Sequence, residues 1–500
     1  MPHRLFKIFL LSFFWTLYIS FSPVNSNEKH SAIILSFRNH LKSYIQGTPL
    51  KRALLNAYAY NTDLKDRRSF LRASDESLLQ AFAEWKPTLS AQAKLSSQKT
   101  IYSGDGKTGT NLNLNEPALS GSLINTAQGS ITLNQNLYNG EGTLARTHIA
   151  KSAIKAAQSQ LQVIEQRILL TTVQTCLELF SKRAQINLFR NNEQFLRKTL
   201  EAAQTQFSAG GDTQTSVAQA QAQLDEIIAK RRTAEAEFKN LEARYERLTG
   251  TPLIPLEDLD SFSLPFQNRE EVLDIAIINN PALRTALFER DVAHYTLDKE
   301  RSELLPRIDL QGSVGQTITR GRYDGSLIGT NISGSLLSND RTTNQQLLVT
   351  LSYPLYEAGL ARSKIRQAHL TSEQKRIAVE AIRQQIIEQL TQAWENYLSS
   401  QENIKNYADQ IESFQISLVG TQEEVRLGSK ILLDVLNEQN KLLEAQLNLV
   451  NSKKLFYLSG FQLLNAMGLL TAQSLGLEMN DDPPYPSDLP QKTDRNDRCY

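Results

Sequence analysis

Cysteine, methionine and tryptophan are scarce, at 2, 3 and 3 residues in a chain of 500. Cys176 lies in a stretch of helical pattern and Cys499 at the end of the chain, so the two make no ligand motif. Cys176 reads as a small buried apolar residue, with a disulfide to Cys499 as the alternative open to an exported protein. The 6 histidines are scattered without ligand spacing, and 3 methionines cannot form a thioether relay for copper, so no metal centre is expected. Charge of one sign is missing as well. Lys and Arg number 54 against 53 Asp and Glu, which gives no reason to expect nucleic acid or a polyanionic partner. Gly104 to Lys107 holds only a fragment of phosphate-loop spacing, and no catalytic constellation is left. The chain is therefore expected to be no enzyme and to carry no cofactor. Beyond residue 26 no apolar run is long enough to span a bilayer as a helix, so any membrane crossing must use strands.

The apolar run that does exist is at the start. Arg4 and Lys7 precede Ile8 to Phe21, and Val24-Asn25-Ser26 supplies small or modest residues at a cleavage site. Residues 1–26 read as a signal peptide; the alternative is an uncleaved anchor, for which the run is short. No Cys stands near the cleavage site to take a lipid.

The chain also contains an internal duplication. FSAGGDTQTSV, from Phe207 to Val217, returns as VRLGSKILLDV, from Val425 to Val435, each with a Gly where a helix ends and a left-handed residue is wanted. Asp212, Thr213 and Ser429 are candidates to cap the helix that follows. Gly210 maps to Gly428, Leu137-Tyr138 to Leu355-Tyr356, and Gly250 to Gly468, at an offset of about 218 residues. Asn61 and Pro87 map to Asn280 and Pro306 with one residue of slippage. The working unit is half the chain used twice: 27–250 and 269–470, joined by a linker at 251–268 and followed by a polar, Pro-containing, disordered tail at 471–500.

Each copy has the same order. A helical pattern from Leu50 to Trp85, and again from Arg269 to Leu304, is stopped by Pro87 or Pro306. Then Leu89, Ala91, Ala93 and Leu95 alternate with Ser90, Gln92 and Lys94, the period of a strand with one apolar face. Strands are expected at about 88–100, 129–138, 307–319 and 345–355, with a polar, Gly-rich loop from about Tyr102 to Gly129 and a second between the later pair. After each second strand come some 65–70 residues of helical pattern without proline, near 100 Å at 1.5 Å per residue. Leu390, Trp394, Tyr397, Ile404, Ala408, Ile411 and Leu418 keep a heptad-like seam, as do Leu443, Leu447, Val450, Tyr457, Phe461 and Leu464. Trp394 and Tyr397 read as packing residues.

Strands apolar on one face, with long helices feeding them, fit an outer-membrane barrel better than a soluble sandwich. Four strands cannot close such a barrel, so the chain must oligomerise; three copies would supply about twelve.

The ordered set of LYNGEG and LYEAGLAR at the strand-to-helix joints, the hairpins at Gly210 and Gly428, and Leu-Thr-Gly or Met-Gly closing each half resembles the TolC-like family of outer-membrane efflux and secretion channels, over essentially the whole mature chain. The resemblance implies a mixed α and transmembrane β fold: a homotrimer with a twelve-stranded barrel in outer-membrane lipid, continued by a long α-helical tube across the periplasm of a Gram-negative cell, with the linker in an equatorial belt. It implies a periplasmic adaptor (membrane fusion) protein and an inner-membrane RND or ABC transporter as partners. By the same resemblance, Phe207, Gly210, Arg426, Leu427, Gly428 and Lys430 would belong to adaptor-docking hairpins, and Asp434 and Asn437 to a pore constriction. Asp434 has a second reading as a residue serving its helix start. Two departures stand out: the first hairpin has Gln206-Phe207 and Ser216-Val217 where the second has Arg426-Leu427 and Asp434-Val435, and Asn437 takes a place where relatives can carry an acid. Two function classes remain, a passive exit duct for drugs or polypeptides and a surface-anchored structural or adhesive coiled coil. Duplication favours the duct, since a stalk needs no second set of strands.

Overall fold

The computed structural model describes residues 48–101, 117–253, 268–327 and 333–477. The expected signal peptide, the greater part of the linker, Cys499 and the chain beyond residue 477 lie outside these. The described chain runs α1 (Pro49–Tyr60), α2 (Thr62–Ala83), β1 (Thr88–Ile101), β2 (Pro117–Asn139), α3 (Gly142–Ser208), α4 (Gln214–Thr249), α5 (Arg269–Asn279), α6 (Pro281–Ser302), β3 (Arg307–Leu327), β4 (Ser333–Ser352), α7 (Leu360–Arg426), α8 (Leu432–Ala466) and α9 (Ala472–Leu475). It divides into two compact units, one from Leu71–Ala157 and Ala286–Val379, the other from Met1–Phe70, Gln158–Thr285 and Glu380–Tyr500.

The first unit holds the sheet, four antiparallel strands in the order β1-β2-β3-β4. Register fixes its faces, because paired residues share a side and neighbours along a strand alternate. Leu89 pairs with Leu133, Leu133 with Gly312, and Gly312 with Leu347, so these four form one row. The next rows on that face bring together Ala91, Ile131, Val314 and Gln345, then Ala93, Gly129, Gln316 and Thr343. The opposite face carries Ser90, Thr132, Ser313 and Gln346, and from the row of Thr88 to that of Gln98 is polar apart from Ile124 and Leu348. Leu89, Ile131, Val314, Leu347, Val349 and Leu351 are more than half exposed, so within a single chain the apolar face covers nothing.

Three expectations need correction here. Of the stretch expected as a loop from Tyr102 to Gly129, residues 102–116 lie outside the described residues and 117–129 are strand, since β2 begins at Pro117; β3 runs on to Leu327, and β4 spans Ser333–Ser352 where 345–355 was expected. These outer halves (Gly121, Ser122, Asn125, Thr126; Asn339 to Gln346) have few apolar residues to alternate, and ladder bonds to neighbouring strands hold them instead. The helical stretches at 50–85 and 269–304 are each two helices. Asn61 and Asn280 break them by turning their side-chain oxygens onto the next helix, Asn61 Oδ1 accepting from Asp63 N at 2.9 Å and Asn280 Oδ1 from Ala282 N at 2.8 Å. Finally, residues 471–477 are packed, not part of a disordered tail: Leu475 and Leu477 are buried, and the Ala472 amide donates to the buried Glu165 carboxylate at 2.6 Å.

In the helical unit α3, α4 and α8 share one core, with Ile186, Phe189 and Leu196 from α3, Leu224 and Ile227 from α4, and Leu436 and Leu443 from α8. Each fully buried Leu or Ile contributes about 1.5–3 kcal/mol relative to exposure. A second cluster joins α7 to α8 through Leu418, Val435 and Leu442. Leu390, Trp394 and Tyr397 are buried along the α7 seam, and Tyr397 stacks on Phe456 at 4.9 Å. The seam is interrupted at Ala408, which is exposed, and resumes with Ile411 packed against the cluster at Leu418. Cys176 is buried in α3, where burial pushes its thiol up to about 12.

Between α3 and α4 runs an ion-pair ladder. Glu193 receives Arg197 at 2.6 Å and Arg231 at 2.7 Å, and Glu235 receives Arg231 at 2.8 Å and Arg190 at 3.1 Å. The hydrogen bonding from Arg197, then that from Arg231, holds the Glu193 carboxyl below its usual range.

Candidate functional site

The two helical tips are built alike and finished differently. At the first, Gly210 has φ +79°, its amide donates to Phe207 O at 2.9 Å, and the Gly211 amide donates to Gln206 O at 2.8 Å. At the second, Gly428 has φ +79°, its amide donates to Val425 O at 3.0 Å, and the Ser429 amide donates to Glu424 O at 2.9 Å. Both are the left-handed helix stop that glycine accommodates without strain. The duplication is thus preserved bond for bond.

The outgoing helices are capped by opposite halves of one device, the reciprocal cap formed between the residue before a helix and its third residue. At the first tip Thr213 Oγ1 accepts from the Ser216 amide at 3.2 Å, as its type suggested. At the second the matching residue is Ile431, which has no acceptor in its side chain. There Asp434, the third helical residue, reaches back to accept from the Ile431 amide at 3.2 Å. Ser429, a candidate cap for α8, serves the preceding helix instead, donating to Glu424 O at 2.9 Å. Asp434 therefore serves its helix start within the single chain, and the positive end of the helix dipole favours its charge.

Of the other residues singled out, Leu427 is 75% and Phe207 45% exposed, leaving apolar side chains uncovered at both tips. Asn437 is exposed as well. Arg426 pairs with Glu423 at 2.7 Å and Lys430 with Glu424 at 2.8 Å. That bond to Glu424, with the fields of Asp434 and Glu438, raises the Lys430 ammonium above its ordinary value. Glu438 is held low, first by Lys441 and then by Ser417 and Lys430. Ion pairs within the chain so offset acids of the second tip, and Asp434 stands near enough to Lys430 for its field to act there.

Two features escaped the sequence reading. Ile431 is 63% exposed and adds to the apolar tip beside Leu427; its alignment with Thr213 in the duplication would have flagged it. Gln439 of α8 donates to Asn192 of α3 at 2.7 Å inside the core, a contact across 247 residues that no local pattern announces. Among the described residues no group of His, Cys, Asp or Glu could hold a metal, and no helix is long and apolar enough to cross a membrane.

Comparison with known proteins agrees with this geometry. The outer membrane efflux protein family profile matches residues 54–251 and 272–469. The outer membrane efflux protein BepC of Brucella suis is 26% identical over 430 residues, covering 86% of this chain and 87% of that protein. Outer membrane protein TolC of Vibrio cholerae is 24% identical over 371 residues, covering 73% and 82% respectively. Among solved structures, a membrane protein from Pseudomonas aeruginosa superposes with a TM-score of 0.71 at 16% identity, over 86% of this chain and 92% of that one. The CmeC outer membrane channel of Campylobacter jejuni gives 0.69 at 17% identity, over 85% and 86%.

Proposed function

Since the chain belongs to the outer membrane efflux protein family, we propose that it forms a homotrimeric exit duct whose three four-stranded sheets close into one twelve-stranded barrel. It is a non-enzymatic transport protein of the Gram-negative outer membrane with a large periplasmic part. The observation that carries the trimeric reading is the sheet. On one face of β3, Ile308 to Gln316 spans about 26 Å of strand, or about 20 Å when tilted by about 40°, most of the height of an outer-membrane apolar band. The positions on that face are uncharged from Ile308 through Gln316, the other face is polar, and β1 and β4 are open edges. Open edges in lipid leave backbone groups unsatisfied at several kcal/mol each, and cyclic closure with neighbouring copies removes them.

α3 and α7, of 67 residues each, would form the periplasmic tube. The tips would dock an adaptor through Phe207, Leu427 and Ile431 around the turns at Gly210 and Gly428, with Arg426 and Lys430 at the rim. The adaptor in turn would connect the duct to an inner-membrane RND or ABC transporter, which supplies the energy and selects the cargo. Three Asp434 carboxylates, with Asn437 a turn away, would line a constriction while still capping their helices.

The test is a planar-bilayer recording on purified protein whose mass in detergent has been measured. A trimer that passes ion current is expected. A stable monomer with an intact sheet, or an inserted protein that passes none, would overturn the duct in favour of a surface stalk.

A further inference from the structure

On the apolar face of the sheet, the rows nearest the strand-to-strand connections change character abruptly. Ile318 shares a row with Leu95, Ala127 and Arg341; the next holds Ser97, Asn125, Arg320 and Asn339; the next Lys99, Leu123, Arg322 and Leu337. Four cations, Lys99, Arg320, Arg322 and Arg341, therefore stand in three consecutive rows, with no carboxylate among the twelve residues of those rows. All four are exposed. Arg320 and Arg322 are about 7 Å apart along one strand, and Arg341 lies on the neighbouring strand, about 5 Å away, one row nearer the apolar band. Arg341 donates to Gln316 Oε1 at 2.9 Å, one row toward the apolar band, so joining Arg320 and Arg322 on a phosphate means exchanging that bond for the ligand's. Lys94 and Asp340 fall on the opposite face, while Asp324 takes the next row on the cationic face, beyond Arg322.

Three rows below Ile318, about 20 Å along the strands, the same face is indented. Gly312 has no side chain, and the surrounding Leu89, Ile131, Leu133, Val314 and Leu347 leave an open groove of about 450 Å³. A groove of this volume and apolar lining is suited to hydrocarbon.

We propose that this face is a binding site for a phosphorylated lipid of the outer leaflet, its phosphates held by Arg320, Arg322 and Arg341 with Lys99 flanking, and its acyl chains lying in the groove over Gly312. The inference rests on the membrane reading of the sheet given above. In that reading, strand ends away from the helices lie in the outer leaflet, and the cations fall at headgroup height just past the apolar band. Arginine suits the role because its planar fork gives two parallel donors to a phosphate, and its long stem lets Arg341 reach the headgroups from one row lower. The chemistry that fits three guanidiniums this close is a headgroup with more than one phosphate, as on a diphosphorylated acyl-glucosamine lipid (lipid A).

The experiment is native mass spectrometry of the detergent-purified assembly titrated with diphosphorylated lipid A, fully dephosphorylated lipid A and zwitterionic phosphatidylethanolamine. The wild type should prefer the diphosphorylated lipid by about tenfold or more, and the preference should weaken with added salt. Arg320→Gln, Arg322→Gln and Arg341→Gln combined should abolish the preference, while the three Arg→Lys changes should keep much of it. Equal binding of the three lipids by the wild type overturns the proposal whatever the variants do. So does a preference that survives the Gln substitutions, or inorganic phosphate that displaces lipid at matched concentration, which would mark a free-anion site. Bilayer current from the same preparation separates the two levels: a conducting protein without headgroup preference refutes the lipid site alone, and a protein that passes no current refutes the duct and this site together.

Discussion

Gly468 and Gly428 occupy matching backbone geometry in different surroundings, which lets one substitution isolate the effect of packing. Gly468 has φ +74° and Gly428 φ +79°. An alanine Cβ at position 428 would meet no atom within 4 Å. Gly428→Ala should therefore cost only the left-handed dihedral, about 1 kcal/mol. At position 468 the same Cβ would stand 2.5 Å from Asn279 O, 2.7 Å from Asn279 C and 3.0 Å from Asn280 Cα. These are backbone atoms of the joint between α5 and α6, and they cannot swing aside as a long side chain would. The joint is held by Asn280 N donating to Ala276 O at 2.9 Å and by Asn280 Nδ2 donating to Ala466 O at 2.8 Å. Moving it by the required distance adds overpacking of about 1–3 kcal/mol, and about 1–3 kcal/mol more if the buried Asn280 bond is lost. Gly468→Ala should cost about 2–4 kcal/mol, or about 3–7 kcal/mol if the Asn280 bond is lost as well. Gly250 is intermediate: its added Cβ would lie 3.3 Å from Tyr60 Cβ, a side-chain atom. Urea titration followed by helical circular dichroism gives the three midpoints, and amide hydrogen exchange in α5 and α6 locates the damage. Midpoints for Gly468→Ala and Gly428→Ala that coincide would refute the steric reasoning.

Acid should weaken the ladder between α3 and α4 in a defined direction. Glu193 is held below its ordinary range, so its contribution is complete above the unfolded value of about 4.3 and is lost as pH falls through the lower folded value. Glu193→Gln should flatten the fall in urea midpoint below about pH 4.5 while lowering stability at pH 7; an unchanged acid limb would count against the ladder. Thr213→Ala and Asp434→Ala should each cost about 1 kcal/mol of local stability. They should do so at different amides, Ser216 in the first and Ile431 in the second, as hydrogen exchange would read; loss at the same relative position in both tips would contradict the divided cap. In single-channel recordings, Asp434→Ala should reduce cation selectivity and block by multivalent cations, and Asn437→Ala should change them less because it removes no charge. Identical traces for wild type and Asp434→Ala would place the constriction elsewhere.

What the sequence disclosed was mostly local. Gly210, Gly428 and Gly468 stand where a positive φ is needed, and only residue type is required to see that. Leu89, Ala91 and Leu95 show a sheet face because alternation is a property of one strand. The outer half of β2 was hidden since its Gly, Ser, Ala and Asn have no strong preference of their own; pairing with β1 and β3 decides their conformation. Asn61 and Asn280 were visible as repeat markers but not as breaks, because an Asn inside an apolar-periodic stretch tells nothing about whether its side chain will compete for the next helix's amides. The caps followed the same logic: Thr213 announced itself by type, whereas Ile431 could not, its cap being supplied three residues later by Asp434. Gln439 and Asn192 meet only after α8 has packed on α3, so no window of sequence contains that contact.

The burial of Cys176 has a practical consequence. Thiol reagents attack the thiolate, and at pH 8 a thiol with a pKa of about 12 is ionised in only about one molecule in ten thousand. In the folded chain Cys176 is also shut off from solvent at 3% exposure, beside α4 in the helical unit. Alkylation at this position must wait for α3 to part from its neighbours, so its rate becomes a clock for the opening of the helical unit. The native protein carries a reporter of its own unfolding.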